Sequence, residues 1–420
     1  MKTLKVLIVA AGGYGGQYVQ ALLEGGAAHG MEIAGVVEPF PASVRQRAEL
    51  EALQVPWYDT VEAFYAEHDA DLALISSPIQ FHKRQVLSCL ENGSHVLCEK
   101  PLCSSPEDLR ELIAARDRSG RLLGVGYQWS WAEAVQAFKK DAIAGKFGRL
   151  LSMKTLIRWP RNTAYFSRGI GWAGKVRAAD GTWILDSIAH NACGHYLHHM
   201  LFTAGKTQDG CAVPERVRAT LLRANAIENF DTAMIEAEDA DGARYLFLAS
   251  HAVEENVNPV FEFRYEKAVV RYEEDGDGEI HVAFADGREC SYGGMGDRAS
   301  MGSIHFPKAL AHGGGDPGRR APCLPAGGCL GADEDHLRRA DELPRPGLPE
   351  GRRDGMGNER RAAENRARAG GNAPALLRAG PAAGGGGTPL GPARQDRLDG
   401  GDRALYSERI LTARGHPPTD

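Results

Sequence analysis

Residues 4–16 read Leu4-Lys5-Val6-Leu7-Ile8-Val9-Ala10-Ala11-Gly12-Gly13-Tyr14-Gly15-Gly16. A short apolar run rich in β-branched residues leads directly into a glycine cluster. The apolar residues that follow, Tyr18, Val19, Leu22 and Leu23, fall at helical spacing. Strand, glycine turn and helix in that order open a βαβ unit. Laid on the pattern G-x-G-x-x-G, the cluster supplies Ala10, Gly12 and Gly15, with alanine at the first position. Small residues are needed there because the backbone must turn tightly and approach a pyrophosphate, which rests on the N–H groups of the helix N-terminus. An alanine is compatible with the first position if its φ is negative. Gly13 and Tyr14 complete the turn as candidate cofactor contacts.

A second apolar run, Met31 to Val37, ends at Glu38. A carboxylate at that strand end can accept hydrogen bonds from both ribose hydroxyls of NAD and would repel a 2′-phosphate. The expected cofactor is therefore NAD, with Arg45 and Arg47 nearby keeping NADP open. Further short strands are expected at Leu72–Ile75, His95–Cys98 and Leu122–Tyr127. Helices are expected between them, at about 83–90 and from Pro106 to Ala115 with Ser105 as N-cap. Alternating strands and helices imply an α/β fold with a doubly wound parallel sheet over residues 1–125. From about 126 to 295 the pattern becomes α+β. Strands are expected at Leu150–Ile157, Arg216–Arg223, Thr232–Glu238, Arg244–Ser250, Val260–Tyr265, Ala268–Tyr272 and Glu279–Phe284, forming an antiparallel sheet. One long helix, about 187–202, interrupts them.

Composition bounds the function. Forty-nine Lys and Arg against 55 Asp and Glu give a net charge of −6, which argues against a nucleic-acid surface. No apolar run reaches the roughly 18–20 residues of a membrane span. The short N-terminal apolar run flows into glycines instead of a cleavage site, so a cytoplasmic protein is expected. None of the eight cysteines shows C-x-x-C spacing, which fits reduced, small, buried residues.

Residues 74–102 carry the most specific signal: Leu-Ile-Ser-Ser-Pro-Ile-Gln-Phe-His, a helix, then Asn-Gly-Ser-His-Val-Leu-Cys-Glu-Lys-Pro-Leu. This resembles the Gfo/Idh/MocA oxidoreductases, named for glucose–fructose oxidoreductase and inositol dehydrogenase. Ser77, Pro78 and His82 match that family's T-P-x-x-x-H. Gly93, His95, Val96, Glu99, Lys100 and Pro101 match its G-x-H-V-x-x-E-K-P. The likeness continues through Gly126-Tyr127-Gln128 to about residue 295. It implies a Rossmann domain followed by an open-faced sheet domain, and NAD(P)-linked redox chemistry on a secondary alcohol of a sugar, cyclitol or related polyol. Ser77, Pro78, His82, Glu99, Lys100 and Gln128 are the cofactor-side residues so implied, and Lys100 also assists proton transfer at the substrate hydroxyl.

The same resemblance implies a catalytic pair, Asp186 and His190. On a helix, positions i and i+4 share a face, so both would point at one substrate. A neutral imidazole can take a hydroxyl proton as hydride leaves the same carbon. The structural alternatives are Asp186 as a helix N-cap and His190 as a core residue. The chain departs from the family in having Ala189 and Cys193 where glycine and aspartate are usual, and it carries Asn191. Tyr127, Gln128, Trp129, Arg158, Tyr165, Trp172, His195 and, more weakly, His251 are further cleft candidates. His195 and His199 are spaced i, i+4 but lack the glutamate of a zinc helix, so a partly solvated helix face is expected there and no metal. Two other readings stay open: a non-catalytic NAD-binding regulator, and a glycosidase that retains its NAD.

Residues 311–420 hold 22 of the 51 Gly and 12 of the 22 Pro, with no Lys, Val, Phe or Trp. Leu, Ile, Val and Phe make up 12 of those 110 residues, too few for a packed core. A disordered extension, a divergent domain and out-of-frame translation of a GC-rich region each account for this segment, and the composition favours the last. A homo-oligomer is expected only if the second sheet is complete at its C-terminal side.

Overall fold

The computed structural model describes residues 3–167 and 171–295. The expectations for the tail, residues 296–420, lie outside the described residues. Two sheets organise the rest.

The first sheet contains β1 (Leu4–Val9), β2 (Met31–Val37), β3 (Trp57–Tyr58), β4 (Leu72–Ile75), β5 (His95–Cys98) and β6 (Leu123–Val125). Its order is β3-β2-β1-β4-β5-β6, with every pair parallel. Parallel strands are covered on both faces, so they read as unbroken apolar runs. Val6 to Val9 and Leu72 to Ile75 are accordingly all buried. Leu7 and Val9 pack on one face with Ala73, Ile75, Val96 and Leu112. Val6 and Ile8 pack on the other with Tyr18, Val19, Val36 and Leu74. The helices of this half are α1 (Gly15–Ala21), α2 (Arg47–Ala52), α3 (Val61–Tyr65), α4 (Ile79–Glu91) and α5 (Pro106–Ser119). Ser105 caps α5 by accepting from Asp108 N at 3.1 Å. Strand order reverses between β1 and β4, and ligands bind at the C-terminal ends of strands at such a point.

The second sheet contains β7 (Leu150–Arg158), β8 (Pro214–Leu222), β9 (Thr232–Asp239), β10 (Arg244–Ser250), β11 (Val257–Tyr265), β12 (Ala268–Glu273), β13 (Glu279–Phe284) and β14 (Glu289–Gly294). Its order is β14-β13-β12-β11-β7-β10-β9-β8. The expected antiparallel sheet is in fact mixed, because β10 runs parallel to β7 from Arg244–Ser152 to Ser250–Arg158. The chain reaches β10 only after β8 and β9 have turned on the outer side, so β10 enters the sheet in the direction of β7. Burial alternates along β10 and β11, as expected of a sheet with one covered face. Met153, Ile157, Phe247, Phe261 and Phe263 form that face with Phe138 and Val135 of α6 (Glu133–Ile143) and Tyr196, Met200 and Phe202 of α8 (Gly194–Thr203). A short helix, α7 (Thr163–Phe166), follows β7. None of the described helices is long and apolar enough to cross a membrane.

The long helix expected over 187–202 is broken. A π-turn covers Ile188–Ala192, and α8 starts at Gly194. Ser187 caps the turn, accepting from His190 N at 3.2 Å. Asp186 therefore precedes the cap, and the two residues do not share a helical face.

Candidate active site

The first half of the site is made of backbone. β1 ends at Ala10, whose φ is +67°. The negative φ expected there is corrected: this alanine takes the left-handed conformation, at a cost of about 1 kcal/mol or more for a residue with a Cβ. The turn explains the glycines on either side. A Cβ on Gly15 would overlap the Ala10 carbonyl oxygen and lie 3.3 Å from the Ser76 Cβ at the end of β4. Gly15 is thus wedged into the point where strand order reverses. Gly13 has φ +58° and open space around its missing Cβ. A Cβ on Gly12 would meet Ser43 Oγ at 3.0 Å and Glu38 Oε2 at 3.5 Å.

Glu38 is buried, and its carboxylate accepts from Gly12 N at 3.2 Å and Phe40 N at 3.1 Å. A carboxylate has roughly four lone-pair sites, so two backbone bonds leave capacity for ribose hydroxyls. Open glycine backbone, a helix N-terminus and an anchored acid at the second strand end fit a dinucleotide. Arg47 is turned away, paired with Glu51 at 2.6 Å.

The turns after β4 and β5 are locked together. His82, fully buried on α4, faces two carbonyls: Nε2 lies 2.7 Å from Ser77 O and Nδ1 2.8 Å from Pro101 O. Burial holds its pKa below the usual histidine value. Pro78 is the N-cap of α4, and Ser77 Oγ donates to Gln85 at 2.5 Å. The Lys100–Pro101 peptide is cis. Glu99 is buried over Gly126, where any side chain would collide with its carboxylate, and accepts from Tyr18 OH at 2.7 Å. Tyr14 OH donates to Gln128 at 3.2 Å, tying the glycine turn to the residues after β6.

The second half is made of side chains. Lys100 Nζ donates to both Asn191 O and Asn191 Oδ1, each at 2.9 Å. The Asn191 amide donates to Asp186 Oδ1 at 2.8 Å, and Asp186 Oδ2 accepts from Gly174 N at 2.6 Å. Leu185, immediately before Asp186, has φ +51°. Lys100 and Asp186 are therefore joined through Asn191. The sequence offered Asn191 as a departure whose amide hydrogen bonds could replace the usual proton-transfer geometry, and its amide is bonded to both Lys100 and Asp186. His190 Nε2 is buried with no hydrogen-bond partner. Burial and then the Lys100 charge hold its pKa down to about 4, opposed by the Cys103 backbone. At neutral pH the ring is uncharged.

The other candidates separate into core and cleft. Trp129 is 4% exposed and stacks edge-on against Tyr196, His199 and Tyr272, so it belongs to the core and not to the cleft. His199 is likewise corrected: instead of a partly solvated face it is 1% exposed among Trp129, Phe261 and Phe263, and burial holds its pKa down to about 3. His198 beside it is also buried, with its ring stacked on Tyr127 at 4.0 Å. His195 meets the edge of Tyr127 at 6.0 Å. Arg158 pairs with Glu255 at 3.2 Å. Trp172 is half-buried, in the segment leading to Gly174. A small cavity adjoins the π-turn. Asp186, Ser187, Ile188, Ala192, Tyr165 and His251 are among the residues that line it. Four cysteines are buried and two half-buried, and the described cysteines are all free.

Comparison with known proteins agrees with the fold. Residues 4–127 match the model of the GFO_IDH_MocA oxidoreductase family, described as an NAD-binding Rossmann fold. A 1,5-anhydro-D-fructose reductase of Ensifer adhaerens is 33% identical over 135 residues, 32% of this chain and 39% of the relative. An inositol 2-dehydrogenase of Mycolicibacterium smegmatis is 31% identical over 163 residues, 38% of this chain and 45% of the relative. The chain thus spans less than half the length of these two relatives. A levoglucosan dehydrogenase solved with NADH superposes with a TM-score of 0.62 at 17% identity, over 81% of this chain and 97% of that one, which shows the shared fold. Through residues 4–127 this chain is similar to the Gfo/Idh/MocA oxidoreductases, whose NAD-binding Rossmann model those residues match.

Proposed function

We propose that this chain is an NAD-dependent dehydrogenase that oxidises a secondary alcohol of a sugar, cyclitol or related polyol. The observation that carries the reading is the chain of hydrogen bonds from Lys100, at the C-terminal edge of the cofactor-binding sheet, through Asn191 to Asp186 beside the cavity. It gathers a cation and a carboxylate beside the π-turn that carries the uncharged His190, which supports the reading.

NAD would supply the acceptor for the hydride that leaves the carbinol carbon. Gly12, Gly13, Tyr14 and Gly15 would hold its pyrophosphate and Glu38 its ribose hydroxyls, with Ser77, Pro78, His82, Glu99 and Gln128 shaping the rest of the crevice. Lys100 has two of its ammonium hydrogens committed to Asn191. Held in this way, the Lys100 ammonium faces the substrate oxygen, where its positive charge stabilises developing alkoxide character. His190 is uncharged above about pH 4. Its buried, unpartnered Nε2 gains a partner in the substrate hydroxyl and receives the proton as the hydride departs. Asp186 anchors Asn191 and thereby fixes the Lys100 amine. In the reducing direction the same groups return the proton.

The test is NADH formation, followed by absorbance, when a panel of cyclitols, aldoses and sugar acids is added to the full chain with NAD. Lys100→Met should lower turnover by about 10³-fold, in the range of a lost proton-transfer group, while the Kd for NAD stays within about twofold of the original, well under the tenfold that 1.4 kcal/mol would give. Full turnover in that variant would remove Lys100 from the mechanism. NAD binding with no turnover on any polyol would favour a regulator. The NAD-retaining glycosidase reading requires glycoside cleavage without net NADH.

A further inference from the structure

Arg161 follows β7 and is half-buried. Its Nε is enclosed and lacks a hydrogen-bond partner, and among the described residues its guanidinium has no carboxylate partner. Arg158, one turn of chain earlier, also has an enclosed Nε but reaches Glu255 at 3.2 Å. The contrast is informative because an enclosed N–H left without an acceptor is costly, about 1–3 kcal/mol.

Arg161 stands behind the cavity lining, in contact with residues that line it. Its guanidinium carbon sits 4.6 Å from the centroid of the Tyr165 ring, and its backbone N donates to His251 O at 3.1 Å. Tyr165 and His251 both line the cavity that contains Asp186. Its charge is felt by the His251 imidazole and, together with that of Lys100, by the Cys193 thiol. Two cations therefore flank the π-turn. Lys100 is held by Asn191 and Asp186, and Arg161 is stacked on an aromatic ring with its hydrogen-bonding edge unspent. His251 does not supply an anion, since burial lowers its pKa and leaves it neutral.

We propose that Arg161 binds an anionic substituent of the substrate, so that the alcohol oxidised at Lys100 is carried on an acidic monosaccharide such as a uronic acid or a sugar phosphate. The planar guanidinium takes a carboxylate or phosphate through two parallel hydrogen bonds. Stacking on Tyr165 fixes the plane of the fork before the ligand arrives. This inference rests on the dehydrogenase reading for the position of the reacting carbon.

The test titrates the full chain, with and without NAD, against three probes that share one ring: D-glucose, D-glucuronate and D-glucose 6-phosphate. Binding of NAD is measured first, so that failure of the cofactor reading is seen separately. An anionic probe should bind about tenfold or more tighter than glucose, as a charge-assisted pair predicts. Arg161→Gln should bring that ratio to near one while leaving NAD affinity and Tm unchanged. Arg161→Lys, which keeps the charge but loses the fork, should fall between. Preference for glucuronate identifies a carboxylate, and preference for glucose 6-phosphate a phosphate. Equal binding of all three probes, binding of none, or an anion preference that survives in Arg161→Gln would overturn the proposal.

Discussion

The two halves of the site are built from different materials. Around Ala10, Gly12, Gly13 and Gly15 the functional surface is peptide backbone, shaped by φ angles and by the absence of Cβ atoms. Around Lys100, Asn191, Asp186 and His190 it is side chains, positioned by hydrogen bonds between segments about 90 residues apart. A backbone site should fail when atoms are added, and a side-chain site when hydrogen bonds are removed.

The most damaging change is expected on the backbone side. Gly15→Ala puts a methyl group into the Ala10 carbonyl, and backbone cannot rotate away as a flexible side chain can. NAD binding should be lost, with about 1–3 kcal/mol of stability as for other overpacked positions. Calorimetric titration with NAD and a thermal melt check both. Gly13→Ala, with open space around it but φ +58°, should cost only about 1 kcal/mol, so the pair separates steric overlap from backbone strain.

Acid should act on the side-chain half and on the core behind it. His190 and His199 are held down to about 4 and about 3, in each case first by burial. Their folded pKa values lie below the unfolded value near 6.5. The unfolded chain therefore takes up protons first, and the stability these rings provide is present above about pH 6.5 and lost as pH falls toward 4. His190 alone should account for about 3 kcal/mol of that loss at pH 4. Urea midpoints measured from pH 7 to pH 4 should fall steadily. In His190→Gln and His199→Gln the fall should be shallower, and a pH-independent midpoint in the parent chain would contradict the burial argument.

A smaller effect is expected at the joint. Asn191→Leu keeps the volume but removes both the acceptor for Lys100 and the donor to Asp186. It should lower kcat by about 10–100-fold, the scale of one or two charged hydrogen bonds, and leave the Kd for NAD unchanged. A matching loss of NAD affinity would mean that Asn191 supports the fold of the crevice instead of positioning Lys100.

The same division governs what could be read from the sequence. The first sheet is local: β1, β2, β4 and β5 are short, largely apolar runs that end at turns, so Glu38, Ser77 and Lys100 could be placed at strand ends from their order alone, whereas the two-residue β3 carries no such signal and was missed. The conformation of Ala10 could not, because its φ is set by Gly15 packing under its carbonyl. The second half depends on contacts that no spacing encodes. Asp186 and His190 look like an i, i+4 helical pair, yet Ser187 caps the turn and a π-turn follows, so Asp186 turns to Gly174 and Asn191. His199 reads as surface because histidine is polar, and only the folded sheet shows Phe261 and Phe263 beneath it. The parallel pairing of β10 with β7 is equally invisible in alternation, which is the same for either direction.

The central claim is that Asn191 acts through Lys100. A double-mutant cycle on kcat, with the polyol that the full chain oxidises best, tests it most directly. If Asn191 serves only to hold the Lys100 amine, removing it from a Lys100→Met background should change kcat by less than about twofold, since residues that act as one unit are not additive. If the Asn191→Leu loss appears in full in the Lys100→Met background, the two residues act independently and the hydrogen-bonded chain from Lys100 to Asp186 is not the unit that performs the chemistry.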